Sequence, residues 1–235
     1  MQRNKVSILC TKQVSGHFIE SAAASGIDLE VDAFIETEPI HTIEVQQEIE
    51  QALLQTTTVV FTSGRAVEVV AAELDGHEPE WEIYCLGNST GELARKYFGN
   101  QNIVGLADNA VDLADIIVNS SDINEVIFFC GDQRRPELPD QLHQKGIEVE
   151  EIVVYQTIPI PHKLKRSYDG VLFFSPSAVN SFFKLNKGME RTIFFAIGNT
   201  TAAEIDKHTK NKIIVSDEPS KERLVEIAIE FFSPV

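Results

Sequence analysis

Short apolar runs rich in Val, Ile and Phe alternate along the chain with segments whose apolar residues recur at helical spacing, the pattern of a parallel α/β fold. Strands are expected over residues 5–11, 29–40, 58–62, 82–87 and 102–105, and the same order recurs over 125–130, 148–160, 170–175, 192–198 and 212–216. The second strand of each series runs about a dozen residues, against the usual five or six. Each reaches a proline at its end, Pro39 and Pro159, which stops a β-ladder. Two such strands are suited to bridging a pair of lobes. The halves differ by one insertion: residues 43–54 have helical periodicity, where the second half has only the short stretch 161–169.

The recurrence extends to residue identity. A displacement of 120 superposes Cys10 on Cys130, Gln13 on Gln133, Gly26 on Gly146, Ile27 on Ile147, Thr37 on Thr157, Pro39 on Pro159 and Ile40 on Ile160. A displacement of 112 brings Val59-Val60-Phe61-Thr62-Ser63-Gly64-Arg65-Ala66-Val67 onto Val171-Leu172-Phe173-Phe174-Ser175-Pro176-Ser177-Ala178-Val179. One of 111 brings Gly87-Asn88-Ser89-Thr90 onto Gly198-Asn199-Thr200-Thr201. The chain reads as a duplicated α/β unit. Periodicity leaves open whether its lobes are the sequential halves or are exchanged between them.

Composition narrows the partners. With 20 basic against 36 acidic residues the formal net charge is −16, which opposes attraction to nucleic acid or to an anionic membrane surface. No apolar run is long enough to span a bilayer, and Val6 to Cys10 is too short for the core of a signal peptide. A cytoplasmic protein is expected, with no nucleic-acid or membrane partner. Cys10, Cys85 and Cys130 lie far apart in β-like runs without CxxC spacing and read as buried free thiols. The six histidines form no HxH or HxxxH pair, and no nucleotide-binding or nucleophile-elbow motif is present. No metal or cofactor is expected.

In open parallel sheets, ligands bind beyond the carboxyl ends of the strands, where loops lead into helix N-termini. Four such loops are rich in small hydroxyl and amide residues: Thr62-Ser63-Gly64, Asn88-Ser89-Thr90, Ser175-Pro176-Ser177 and Asn199-Thr200-Thr201. Helix capping alone accounts for any one of them. Four on one cleft would offer free amides and helix dipoles to carboxylates. Lys12, Arg65, Arg134 and Arg135 fall at the same strand ends; each alone is a surface charge, and together they make a positive focus in an acidic protein. Tyr155 ends the apolar run Ile152-Val153-Val154. It is either a packing residue whose hydroxyl finds a polar partner or a proton donor to a ligand.

Taken in order, these segments resemble the uroporphyrinogen-III synthase family from end to end. The resemblance rests on Phe61-Thr62-Ser63-Gly64-Arg65-Ala66-Val67; on Gly131-Asp132-Gln133-Arg134-Arg135 followed by Leu138, Leu142 and Gly146; on Val154-Tyr155-Gln156-Thr157; on Phe174-Ser175-Pro176-Ser177-Ala178-Val179; and on Ala196-Ile197-Gly198-Asn199-Thr200-Thr201-Ala202. Two positions depart from the family pattern. Thr11-Lys12 stands where Thr-Arg is usual, keeping the charge but not the planar fork, and Gly64 stands where proline is frequent.

The resemblance implies two flavodoxin-like parallel-sheet lobes, one of residues 1–33 with 161–235 and one of residues 42–153, bridged by strands 34–41 and 154–160. It implies a cofactor-free lyase that closes hydroxymethylbilane to uroporphyrinogen III with loss of water and inversion of the last pyrrole. Tyr155 matches the family tyrosine proposed to assist departure of the hydroxyl, and Ser63, Arg65, Thr200 and Thr201 match cleft positions. Candidate substrate-binding residues are then Lys12, Thr62, Ser63, Arg65, Asn88, Ser89, Arg134, Ser175, Ser177, Thr200 and Thr201. The alternative is a two-lobed module that binds or senses a small anion without catalysis, since fold alone does not determine function.

Overall fold

The computed structural model describes residues 5–87, 89–120 and 122–233. In chain order the first part comprises β1 (Val6–Cys10), α1 (Gly16–Ala24), β2 (Ile27–Val31), β3 (Ile35–Pro39), α2 (Ile43–Leu53), β4 (Thr57–Phe61), α3 (Gly64–Ala72), β5 (Trp81–Leu86), α4 (Ser89–Phe98), β6 (Ile103–Ala107) and α5 (Ala110–Asn119). There follow β7 (Glu125–Gly131), α6 (Glu137–Gln144), β8 (Glu148–Pro159), β9 (Gly170–Phe173), α7 (Pro176–Leu185), β10 (Ile193–Ala196), α8 (Asn199–Asp206), β11 (Ile213–Val215) and α9 (Lys221–Phe232). The chain divides into two compact units, one of Met1–Glu36 with Ile158–Val235 and one of Thr37–Thr157.

The discontinuous unit has a five-stranded sheet in the order β11-β10-β9-β1-β2, parallel throughout. Its central strands β1, β9 and β10 are buried on both faces along most of their length, as a parallel sheet covered by helices requires. Phe18 and Ala22 of α1 and Leu224, Val225, Ala228 and Ile229 of α9 close one face over Ile8, Cys10, Leu172 and Phe195. Helices α7 and α8 close the other, with Val179, Phe182, Phe183 and Ile205 packed on Leu9, Val171, Phe173 and Phe194.

The continuous unit has a six-stranded sheet, β3-β8-β7-β4-β5-β6. The pairings from β8 to β6 are parallel. Strand β3 runs the other way, since Ile40 N–H donates to the Val154 carbonyl while Ile160 N–H donates to that of Phe34. Residues from α2, α3 and α4 cover Val59, Phe61, Ile127, Phe129, Ile152 and Val154 on one face, and α5 with α6 cover Val60, Phe128 and Cys130 on the other.

The two sheets share a plan. Reading β2-β1-β9-β10-β11 against β8-β7-β4-β5-β6 matches each strand with its partner in the sequence repeat, and β3 is the addition. Each unit therefore takes its first two strands from one half of the chain and its last three from the other. The halves are exchanged, the point that periodicity alone had left open.

One expected element differs. Residues 29–40 form two strands, β2 and β3, rather than one. Asp32 N–H closes the first ladder on the Cys10 carbonyl. Phe34 then turns fully inward, stacked on the His162 ring at 4.1 Å and edge-on to Phe182 at 4.9 Å. Burial of an aromatic ring outweighs continuation of the strand here.

Candidate active site around Tyr155

The site is built from the carboxyl ends of β4, β7 and β8. Strands β7 and β8 pair in steady register as far as Cys130 and Val153, and the next pair is Gly131 with Tyr155. One extra residue, Val154, is therefore accommodated in β8. Such a bulge re-aims the side chain that follows it. Side chains otherwise alternate between faces: Ile152 and Val154 join the core beneath α3 and α4, and Val153 packs on the opposite face. Tyr155 should follow Val153, yet it packs with Ile152 and Val154. There its hydroxyl donates to Ser63 Oγ at 3.1 Å.

Ser63 is the N-cap of α3 and its Oγ also accepts from Arg65 N–H at 3.2 Å, satisfying one of the free amides of the helix start. The backbone beyond the bulge is pinned. Asp132 N–H donates to the Tyr155 carbonyl at 3.0 Å, and Asp132 Oδ1 accepts from Thr157 N–H at 2.9 Å. Burial raises the Tyr155 phenol above its ordinary pKa, against the opposing influence of the Ser63 hydrogen bond. The phenol is thus protonated at neutral pH and half-exposed, able to give a proton without prior activation.

The remaining residues of this unit are placed as follows. Thr62 is half-buried beside Ser63, and Ser89 is exposed at the start of α4; Asn88 lies outside the described residues. Arg65 is half-buried; it donates to Glu68 at 3.1 Å and to the Thr37 carbonyl at 3.4 Å, and its Nε is buried without a partner among the described residues. Arg134 is held by both oxygens of Glu151, so it is a neutralised cation rather than a free one. Sequence reasoning missed Gly131 and Asp132, although both belong to the run on which the family resemblance rests.

In the other unit the candidates again follow parallel strands. Lys12 follows β1 and makes no ion pair among the described residues. Although its surface is open, partial enclosure and then the charge of Lys221 hold its ammonium below the ordinary value. Ser175 caps α7, accepting from Ala178 N–H at 3.3 Å, and Ser177 is half-buried in its first turn. Asn199 is not the cap its residue type suggests. Gly198 is the N-cap of α8 and supplies no side-chain bond, so the start of that helix has no side-chain cap among the described residues. Thr200 is exposed and Thr201 buried.

Among the described residues no cluster of three or more His, Cys, Asp or Glu side chains is placed to hold a metal ion, and no helix is long and apolar enough to cross a membrane. The three cysteines are buried and unpaired, and burial pushes each thiol up to about 11.

The chain also resembles proteins already known. The family model described as uroporphyrinogen-III synthase HemD matches residues 17–226. The uroporphyrinogen-III synthase of Saccharomyces cerevisiae is 30% identical over 209 residues, covering 74% of this chain and 75% of that protein. Among solved structures, the Helicobacter pylori uroporphyrinogen-III synthetase aligns with a TM-score of 0.66 at 16% identity, over 96% of this chain and 99% of that one. A mutant uroporphyrinogen III synthase from Thermus thermophilus gives 0.64 at 15% identity, over 96% and 97%. The two structures establish the shared α/β fold, and with the span of the family model and the yeast relative they lead to one conclusion: the chain belongs to the uroporphyrinogen-III synthase family.

Proposed function

We propose that this chain converts hydroxymethylbilane to uroporphyrinogen III, with Tyr155 supplying the proton that leaves with the terminal hydroxyl as water. The observation that carries this reading is the Tyr155 phenol, protonated, half-exposed and set at the carboxyl end of β8 within 3.1 Å of Ser63, in a chain of the synthase family. Hydroxide is a poor leaving group, so a positioned acid accelerates its loss, by about 100- to 10,000-fold in typical cases. Cleavage of that C–O bond leaves an azafulvene. The substituted carbon of the last pyrrole attacks it, forming a C–C bond and a spiro intermediate; the older bond from that carbon to its bridge methylene then breaks and re-forms at the unsubstituted carbon of the same ring, whose proton is lost and restores the phenol. The net change is loss of one water with no change of oxidation state.

The substrate carries an acetate and a propionate on each pyrrole. Thr62, Ser63, Asn88, Ser89, Ser175, Ser177, Thr200 and Thr201, the first amides of α8 and the cations Lys12 and Arg65 are the chemistry suited to hold them, and Arg134 joins them by exchanging Glu151 for a substrate carboxylate. On this reading the units act as lobes, residues 1–33 with 161–235 and residues 42–153, linked through 34–41 and 154–160; the exchanged strand order supports it. The protein works as a cytoplasmic monomer without a cofactor. Because the free bilane closes by itself to the type I isomer, the enzyme's contribution is to impose one folded conformation and exclude the competing route.

The test is product analysis. Purified protein given freshly generated hydroxymethylbilane, with no added metal or nucleotide, yields the type III isomer after oxidation and chromatography. Type I alone at stoichiometric protein contradicts the reading and favours a binding module.

A further inference from the structure

Strand β7 lies between β8, which carries Tyr155, and β4, which leads into Ser63. To reach Ser63 the phenol must pass over the end of β7, and the residue there is Gly131. A Cβ on Gly131 would stand 2.4 Å from Tyr155 Cζ, 2.5 Å from Cε2 and 2.7 Å from the hydroxyl oxygen. These are separations that carbon atoms do not tolerate, and the atoms involved are the far end of a half-exposed side chain. The Val154 bulge supplies the direction and the missing Cβ supplies the room. We propose that Gly131 is a positioning residue for the reaction: its bare Cα lets the Tyr155 phenol lie across β7 and hold its hydroxyl on Ser63. The inference rests on the catalytic reading of Tyr155.

Gly131→Ala displaces the tip of the ring while leaving the backbone room to fold, because the phenol can swing outward. Turnover of the variant falls by about tenfold or more, the order expected for a misplaced acid, with KM within about twofold and the melting temperature near that of the parent. In a Tyr155→Phe background, where the hydroxyl is already gone, Gly131→Ala lowers turnover no further, since the two residues act as one unit. A second readout does not depend on activity. In protein labelled with 13C at tyrosine Cζ, the resonance lost in Tyr155→Phe identifies Tyr155, and in Gly131→Ala its ionisation moves from its raised position back towards the ordinary value.

Wild-type turnover in Gly131→Ala, an additional loss in the Tyr155→Phe background, or an unmoved Tyr155 titration each overturns the inference. Should Tyr155→Phe itself turn over at the wild-type rate while the titration moves in Gly131→Ala, the proposal falls through the role given to Tyr155 and not through the contact.

Discussion

Two tyrosines of the continuous unit are built into the sheet by the same device, with opposite results. Tyr84 of β5 faces Gly105 of β6 across a register shift, and a Cβ on Gly105 would lie 2.3 Å from its ring. Its hydroxyl donates to Ser120 Oγ at 2.9 Å, and Ser120 in turn donates to the Ile116 carbonyl at 2.9 Å. Tyr155 likewise crosses a glycine after a shift and donates to a serine. Tyr84 sits in mid-sheet, 5% exposed, with its hydrogen-bond chain closed on a helix carbonyl. Tyr155 sits where the strands end, half-exposed, on a serine that already serves as a helix cap. Glycine, shifted register and serine therefore make a socket for a phenol; the position along the strand decides whether that phenol is enclosed in the core or left open at the end of the sheet.

The largest effect that sharpens this contrast is at Gly105. The atoms crowded there are Cδ1 and Cε1 of a ring locked in the core, so Gly105→Ala forces overpacking worth about 1–3 kcal/mol. Denaturant unfolding reads the loss, and turnover of the folded fraction is unchanged. A Gly105→Ala variant as stable as its parent would remove the distinction between the two sockets.

Smaller is the cost of Tyr84→Phe, which leaves Ser120 Oγ without its buried donor and lowers stability by about 1 kcal/mol. Its turnover matches the parent in a steady-state assay. A turnover defect in a stable Tyr84→Phe protein would mean that the chemistry extends into the core.

The smallest effect is alkaline. Tyr155 in the folded protein holds its proton more tightly than an unfolded tyrosine, because burial raises its pKa. Its contribution is therefore complete below the unfolded value of about 10 and is lost as pH rises through the folded value. As pH rises above about 10 the parent loses more stability than Tyr155→Phe does, as melting curves through the alkaline range will show. Identical alkaline profiles would place the phenol in water rather than in a socket.

Much of this was legible in the sequence because strands of a covered parallel sheet are apolar runs and the runs recur. The break at residues 32–34 was not, since Phe34 continues an apolar pattern and leaves the strand only by packing on His162 and Phe182. Exchange of the halves was implied by the family resemblance and not by the pattern itself, because strand order is a long-range property that local periodicity does not carry. Ser63 and Ser175 read correctly as caps, whereas Asn199 did not, because the cap falls one residue earlier on Gly198. Tyr155 was visible as a residue, but its partnership with Ser63 depends on which strand lies between them. The need for Gly131 follows only once β7 is known to be that strand and Val154 to be the extra residue.

The most direct test of the account is a single-turnover measurement on Tyr155→Phe and Tyr84→Phe side by side, with hydroxymethylbilane and with melting curves for both. Loss of about tenfold or more in rate for Tyr155→Phe at nearly unchanged melting temperature, with the reverse for Tyr84→Phe, is the predicted result. A wild-type rate in a well-folded Tyr155→Phe protein, or equal rate losses in the two variants, would contradict it.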